Sequence, residues 1–81
     1  MGDLVARART YLDDQDLVRV DRLLVQSLRQ GQPVNIHLFD HFESLHVIGV
    51  VEGIDRPRGR FKVDGEWFIL GDIEGVANAE R

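Results

Sequence analysis

Cysteine is absent from this chain, and it holds only two prolines, one tryptophan, one tyrosine and one methionine. Without cysteine there is no disulfide framework, no thiolate metal site and no nucleophilic thiol. No apolar stretch approaches the ~20 residues that a membrane-spanning helix needs. The opening residues, Met1 to Arg7, lack the apolar core of a secretory signal. Basic residues are also in short supply: 10 Lys and Arg stand against 14 Asp and Glu, for a formal net charge of −4. Affinity for phosphate backbones depends on Lys and Arg, so this balance speaks against wholesale nucleic-acid binding. Together these absences point to a cytoplasmic protein with no membrane association.

What is present is 81 residues, 43% hydrophobic and 30% charged, enough for a single domain spanning 1–81. A chain this short buries only about 60% of its unfolded surface, so its core is thin and a second subunit would add to it.

Residues 14–30, "DQDLVRVDRLLVQSLRQ", read as an amphipathic helix. Leu17, Val20, Leu24 and Leu28 recur at helical steps along one face. Asp13 or Asp14 caps the start, and Gly31 followed by Pro33 ends it. Leu4, Val5, Ala8, Tyr11 and Leu12 also follow a helical period. The stretch between has no glycine or proline, so one long helix and two short ones both fit.

Beyond Gly31 the apolar period changes from 3.6 to 2. Val34, Ile36 and Leu38 alternate with polar positions as a half-buried strand. "LHVIGVVEGI", residues 45–54, reads as one long strand bent at Gly49 and Gly53. Pro57 and Gly59 signal a turn, and Phe61 and Val63 point one way from a third strand while Arg60 and Lys62 point the other. Asp64-Gly65 is a hairpin turn, Trp67 to Leu70 a fourth strand, and Ile73 to Val76 a fifth. The fold class is therefore α+β and mostly β, with a helical cap over 1–30, strands over 33–76 and a polar tail over 77–81. Five short antiparallel strands with a bent second one are the order of a small closed or nearly closed barrel, its open end covered by the helix.

The span from Leu24 to Val76 resembles the Sm-like variety of SH3-type barrel, and within it the YolD-like family. The resemblance is carried by "SLRQGQPVNIHL", by "GVVEGID" with Gly49 and Asp55, and by "FILGDIEGV" with Asp72-Ile73. It implies a five-stranded barrel and assembly of copies by pairing of the last two strands, and many Sm-like proteins bind RNA. The bacterial RNA chaperone of that group contacts RNA through a Tyr-Lys-His run entering its last strand. Here Ile69, Leu70 and Gly71 stand in its place, so that site is not carried over.

Three groups of side chains remain as candidate sites. Arg56, Arg58, Arg60 and Lys62 gather four cations into seven positions, with Arg58, Arg60 and Lys62 expected on one strand face. They read either as contacts to the phosphates of RNA or single-stranded DNA, or as a charged hairpin that protects a strand from aggregation, with Arg56 and Arg58 also able to pair with Asp55, Asp64 or Glu66. His37, His41 and His46 are metal-ligand types. Only a hairpin that sets His37 across from His46 would bring two of them together, and solvent-facing polar positions are the plainer reading. Phe39, Phe42, Trp67 and Phe68 are aromatics at strand ends or on strands. Either Trp67 or Phe68 must face outward, since neighbours on a strand cannot share a face. Outward aromatics mark interfaces, with a second copy of the chain or with a partner protein. No nucleophile elbow, paired carboxylates or phosphate-binding loop is recognisable, so the chain reads as a non-catalytic module with no cofactor.

Overall fold

The computed structural model describes residues 12–79. Leu4, Val5, Ala8 and Tyr11 lie outside the described residues. Helix α1 spans Asp14–Gln30. Asp13 is extended (φ −79°, ψ 177°), and its carboxylate accepts the Asp16 N–H at 2.9 Å. This satisfies one of the amide groups that a helix start leaves without an internal partner. Because Asp13 is extended, α1 begins there and is not one long helix running through the acidic stretch. At the other end Gly31 is left-handed (φ 69°) and donates its N–H to Ser27 O at 2.9 Å.

The buried stripe of α1 is Val20, Leu24 and Ser27, with Leu23 packed beside it. Leu17 and Leu28, expected on that stripe, are exposed. The face turned to the strands is centred between Val20 and Ser27, and at about 100° per residue Leu17 and Leu28 both fall on its border.

Six strands follow: β1 (Val34–Leu38), β2 (Leu45–Gly49), β3 (Val51–Asp55), β4 (Arg60–Val63), β5 (Glu66–Ile69) and β6 (Ile73–Asn78). They form two three-stranded antiparallel sheets, ordered β2-β1-β6 and β3-β4-β5. The expected five-stranded barrel is therefore corrected on two counts. The bent second strand is interrupted at Val50, and its halves β2 and β3 belong to different sheets. Closure also fails, because β5 and β6 are each hydrogen-bonded on one side only among the described residues. A one-turn 3-10 segment, Leu70–Asp72, carries the chain from β5 to β6 where a hairpin would have paired them. Leu70 belongs to that turn, and β6 runs through Asn78, into the stretch expected as a tail.

Several local readings hold. In β1, Val34, Ile36 and Leu38 are buried with half-buried residues between them. Asp64 and Gly65 both have positive φ (52° and 78°), the backbone that lets a two-residue hairpin follow the twist of its strands. Phe61 and Val63 point inward. The register of β3 on β4 shifts between Val51 and Gly53, a bulge that lets both Val51 and Ile54 reach the core.

The core collects Val20 and Leu24 from α1, Val34, Ile36 and Leu38 from β1, Val51, Phe61 and Val63 from the second sheet, and Ile73 and Val76 from β6. A fully buried residue such as Phe61 or Ile36 contributes about 1.5–3 kcal/mol of transfer free energy. Ser27 is the polar exception, fully buried with its Oγ accepting the Val51 N–H at 2.9 Å. That bond ties the helix to the point where the chain passes between sheets. Among the described residues no helix is long and apolar enough to cross a membrane.

Candidate functional site

The turn between β3 and β4 is shaped by Gly59, left-handed at φ 66°, whose N–H donates to Arg56 O at 3.0 Å. Gly59 O in turn accepts the Leu70 N–H at 2.9 Å, fastening the turn to the end of β5. Arg58 lies in this turn, not on the strand face with Arg60 and Lys62 where alternation put it.

The four cations do not form one free row. Arg56 pairs with Asp21 of the helix at 2.6 Å. Asp55 Oδ2 receives both Arg58 Nη1 and Arg60 Nε at 3.2 Å, and its Oδ1 accepts the Arg58 N–H at 3.3 Å. Partial burial pushes the Asp55 carboxyl up, but the hydrogen bonds from Arg58 and Arg60 outweigh this and hold it below the ordinary carboxylate value. Arg60 also lies over the Trp67 ring, 4.1 Å from its centroid, with Lys62 at 5.7 Å.

Trp67 is the outward aromatic and Phe68 the inward one. Phe68 is half-buried and stacks on Phe61 with ring centroids 5.6 Å apart. Trp67 is 43% exposed on the other face of the second sheet, and Ile69, two residues on, is 54% exposed. A Cβ on Gly53 would stand 3.7 Å from Trp67 Cη2, so the indole reaches across Lys62 toward β3. The face thus presents an aromatic, an aliphatic and two cations on one rigid three-stranded sheet, with β5 at its edge.

The loop from Phe39 to Ser44 carries the other aromatics. Asp40 Oδ2 accepts the N–H groups of Phe42 and Glu43 at 3.1 and 3.2 Å, which closes the loop and sets the β1–β2 register. Phe39 is half-buried and meets His41 edge-to-face at 5.1 Å. Phe42 is exposed.

The register that Asp40 sets places His37 directly opposite His46. Their rings stack at 4.6 Å, nearly parallel at 5°. Ser44 Oγ lies 3.1 Å from His37 Nε2 and 3.4 Å from His46 Nε2. His46 Nδ1 is 3.0 Å from Asn35 Oδ1, and His37 Nε2 is 3.7 Å from a Glu74 carboxylate that is itself only 5% exposed. Ser44 Oγ therefore lies within hydrogen-bond distance of both rings, nearer to His37. His41 makes its ring contacts with Phe39 and Phe42, away from the pair. Among the described residues no group of three or more His, Asp or Glu side chains is arranged to hold a metal ion.

Asn35, Ser44 and Glu74 were not singled out from the sequence. The first two become visible once a hairpin is centred on the 39–44 loop, because Asn35 is then a diagonal neighbour of His46. Glu74 carries no such signal, since its approach to His37 follows from a register shift between β1 and β6 at His37/Leu38. Compared with family models, curated proteins and solved structures, the chain matches none.

Proposed function

We propose that this chain is a non-catalytic interaction module that associates with itself and docks partner proteins through the outer face and free edge of its second sheet. The observation that carries the reading is Trp67 beside Ile69, both outward and both substantially exposed on one sheet face. Aromatic residues are enriched in the cores of interfaces, and the indole is held against Arg60, which limits the ordering cost of docking it. β5 also leaves one row of backbone groups without a strand partner among the described residues, and such edges pair readily with another chain. A cytoplasmic setting belongs to the proposal on the ground of the cysteine-free composition. The YolD-like resemblance is proposed on its short segments alone, without the barrel.

Light scattering on a sizing column tests it. The full chain at micromolar concentration is expected above monomer mass, with Trp67→Ala and Ile69→Lys returning it to monomer. A monomer at every concentration would sink the self-association.

A second reading is binding of single-stranded nucleic acid on the same face. The grouping of Trp67 with Arg60 and Lys62 favours it, because an aromatic flanked by cations stacks bases at about 1–3 kcal/mol each. Against it stand the ion pairs that already engage Arg56, Arg58 and Arg60. Fluorescence anisotropy with RNA and DNA oligonucleotides at low and high salt separates the readings. Salt-steep binding that Lys62→Glu and Trp67→Ala abolish would establish the second reading, and no binding at low salt would remove it.

A further inference from the structure

We propose that the cross-strand pair His37–His46 is a chelating site for a divalent transition-metal ion such as Ni²⁺, Cu²⁺ or Zn²⁺. Imidazole nitrogen suits these ions. The two rings come from adjacent strands in direct register, so their spacing is fixed by the sheet and not by flexible loops. Both Nε2 atoms already face one point, the Ser44 hydroxyl oxygen, at 3.1 and 3.4 Å. An ion bound at Zn–N distances of about 2.0–2.1 Å needs both lone pairs to converge. Convergence requires the two rings to rotate in opposite senses about χ2, out of their parallel stack, and Ser44 to swing aside.

The surroundings favour the metal-bound form. Asn35 Oδ1 accepts from His46 Nδ1, which puts the proton on Nδ1 and leaves Nε2 its lone pair. Such a bond from the far ring nitrogen is the usual outer-shell support of a metal-ligating histidine. The Glu74 carboxylate, 3.7 Å from His37 Nε2, supplies negative charge beside the cation. Gly75 stands opposite His37 on β6, and a Cβ added there would meet nothing within 4 Å. With Ala77 it leaves a shallow cavity of about 230 Å³ beside the rings, room for the water that completes the coordination of a two-histidine site. His41 takes no part.

The test is calorimetric titration of the full, untagged chain, stripped with chelator, with NiCl₂, CuCl₂ and ZnCl₂, and with MgCl₂ as the hard-cation control. Saturable binding at one ion per chain is expected for the three transition ions, tightest for Cu²⁺ by the Irving–Williams order, with none for Mg²⁺. His37→Gln and His46→Gln are expected to abolish binding and Asn35→Ala to weaken it about tenfold, as loss of an outer-shell partner does. His41→Gln leaves binding unchanged. Far-UV circular dichroism establishes that each variant is folded. If a histidine variant does not fold, Asn35→Ala and His41→Gln still decide between the pair and other donors. Absence of saturable binding overturns the proposal, and so does binding that survives His46→Gln or that depends on His41.

Discussion

At the scale of single residues, Ser27 and Asp55 each hold more than their type announces. Ser27 sits in the middle of an apolar helix stripe and is fully buried, yet its hydroxyl is the partner of the Val51 N–H. Removing it leaves a buried backbone donor unsatisfied, which costs about 1–3 kcal/mol. Ser27→Ala is therefore expected to lower the unfolding free energy by that amount in urea titration, and Ser27→Val to cost at least as much despite its greater apolar surface. Asp55 is held below the ordinary carboxylate value of 3.8 by Arg58 and Arg60 against the opposing effect of burial. A carboxylate depressed in the folded state contributes stability that is complete above its unfolded value and is lost as pH falls through the folded one. The contribution of Asp55 is thus expected to be present at neutral pH and to disappear below 3.8. Acid unfolding of Asp55→Asn followed by circular dichroism checks this, since the variant should lack that part of the acid slope.

At the scale of elements, the two glycines of the 45–55 stretch have different duties, which alternation alone does not separate. A Cβ on Gly49 would lie 2.9 Å from Cγ1 of Val63, a side chain locked in the core. A Cβ on Gly53 would meet nothing nearer than 3.7 Å. Gly49→Ala is expected to cost about 1–3 kcal/mol through overpacking, whereas Gly53→Ala should be nearly neutral; denaturant midpoints of the two variants tell them apart. The caps of α1, the burial phase of β1 and the Asp64-Gly65 hairpin were legible because each depends on residues within a few positions of one another. The division of one expected strand into β2 and β3 was not legible. It rests on which sheet each half joins, and that depends on partners in β1 and β4.

At the scale of the whole molecule, the ten buried core residues among the described ones leave Leu17, Val18, Leu28, Phe42, Leu45, Ile48, Trp67 and Ile69 exposed. This apolar surface is the physical ground of the proposed association. If copies associate only when folded, mass action makes stability rise with concentration. The thermal midpoint should climb between low and high micromolar protein, and the Ile69→Lys variant should lose that dependence. The candidate site was legible in part. Trp67 and Phe68 were known to face opposite ways, but only the core position of Phe61 decides that Phe68 turns in. The basic run was visible as a cluster with Asp55 beside it as a partner for Arg58, while the pairing of Arg56 with Asp21 was not, because Asp21 meets Arg56 across the space between helix and turn.

The sequence by itself determined the local grammar: where the helix stops, which positions of β1 and β4 point inward, and that the chain turns around Gly59 and at Asp64-Gly65. Those choices rest on backbone sterics, capping and side-chain period, all of which act within one or two turns of chain. The tertiary structure alone decided how many sheets there are, that β5 and β6 do not pair, that the arginines spend their charge on two aspartates, and that His37 faces His46 above Glu74. Each is set by register, turn geometry and packing once the core has closed: Asp21 reaches Arg56 from another element, and even the near neighbours Asp55, Arg58 and Arg60 meet only because the turn folds them together.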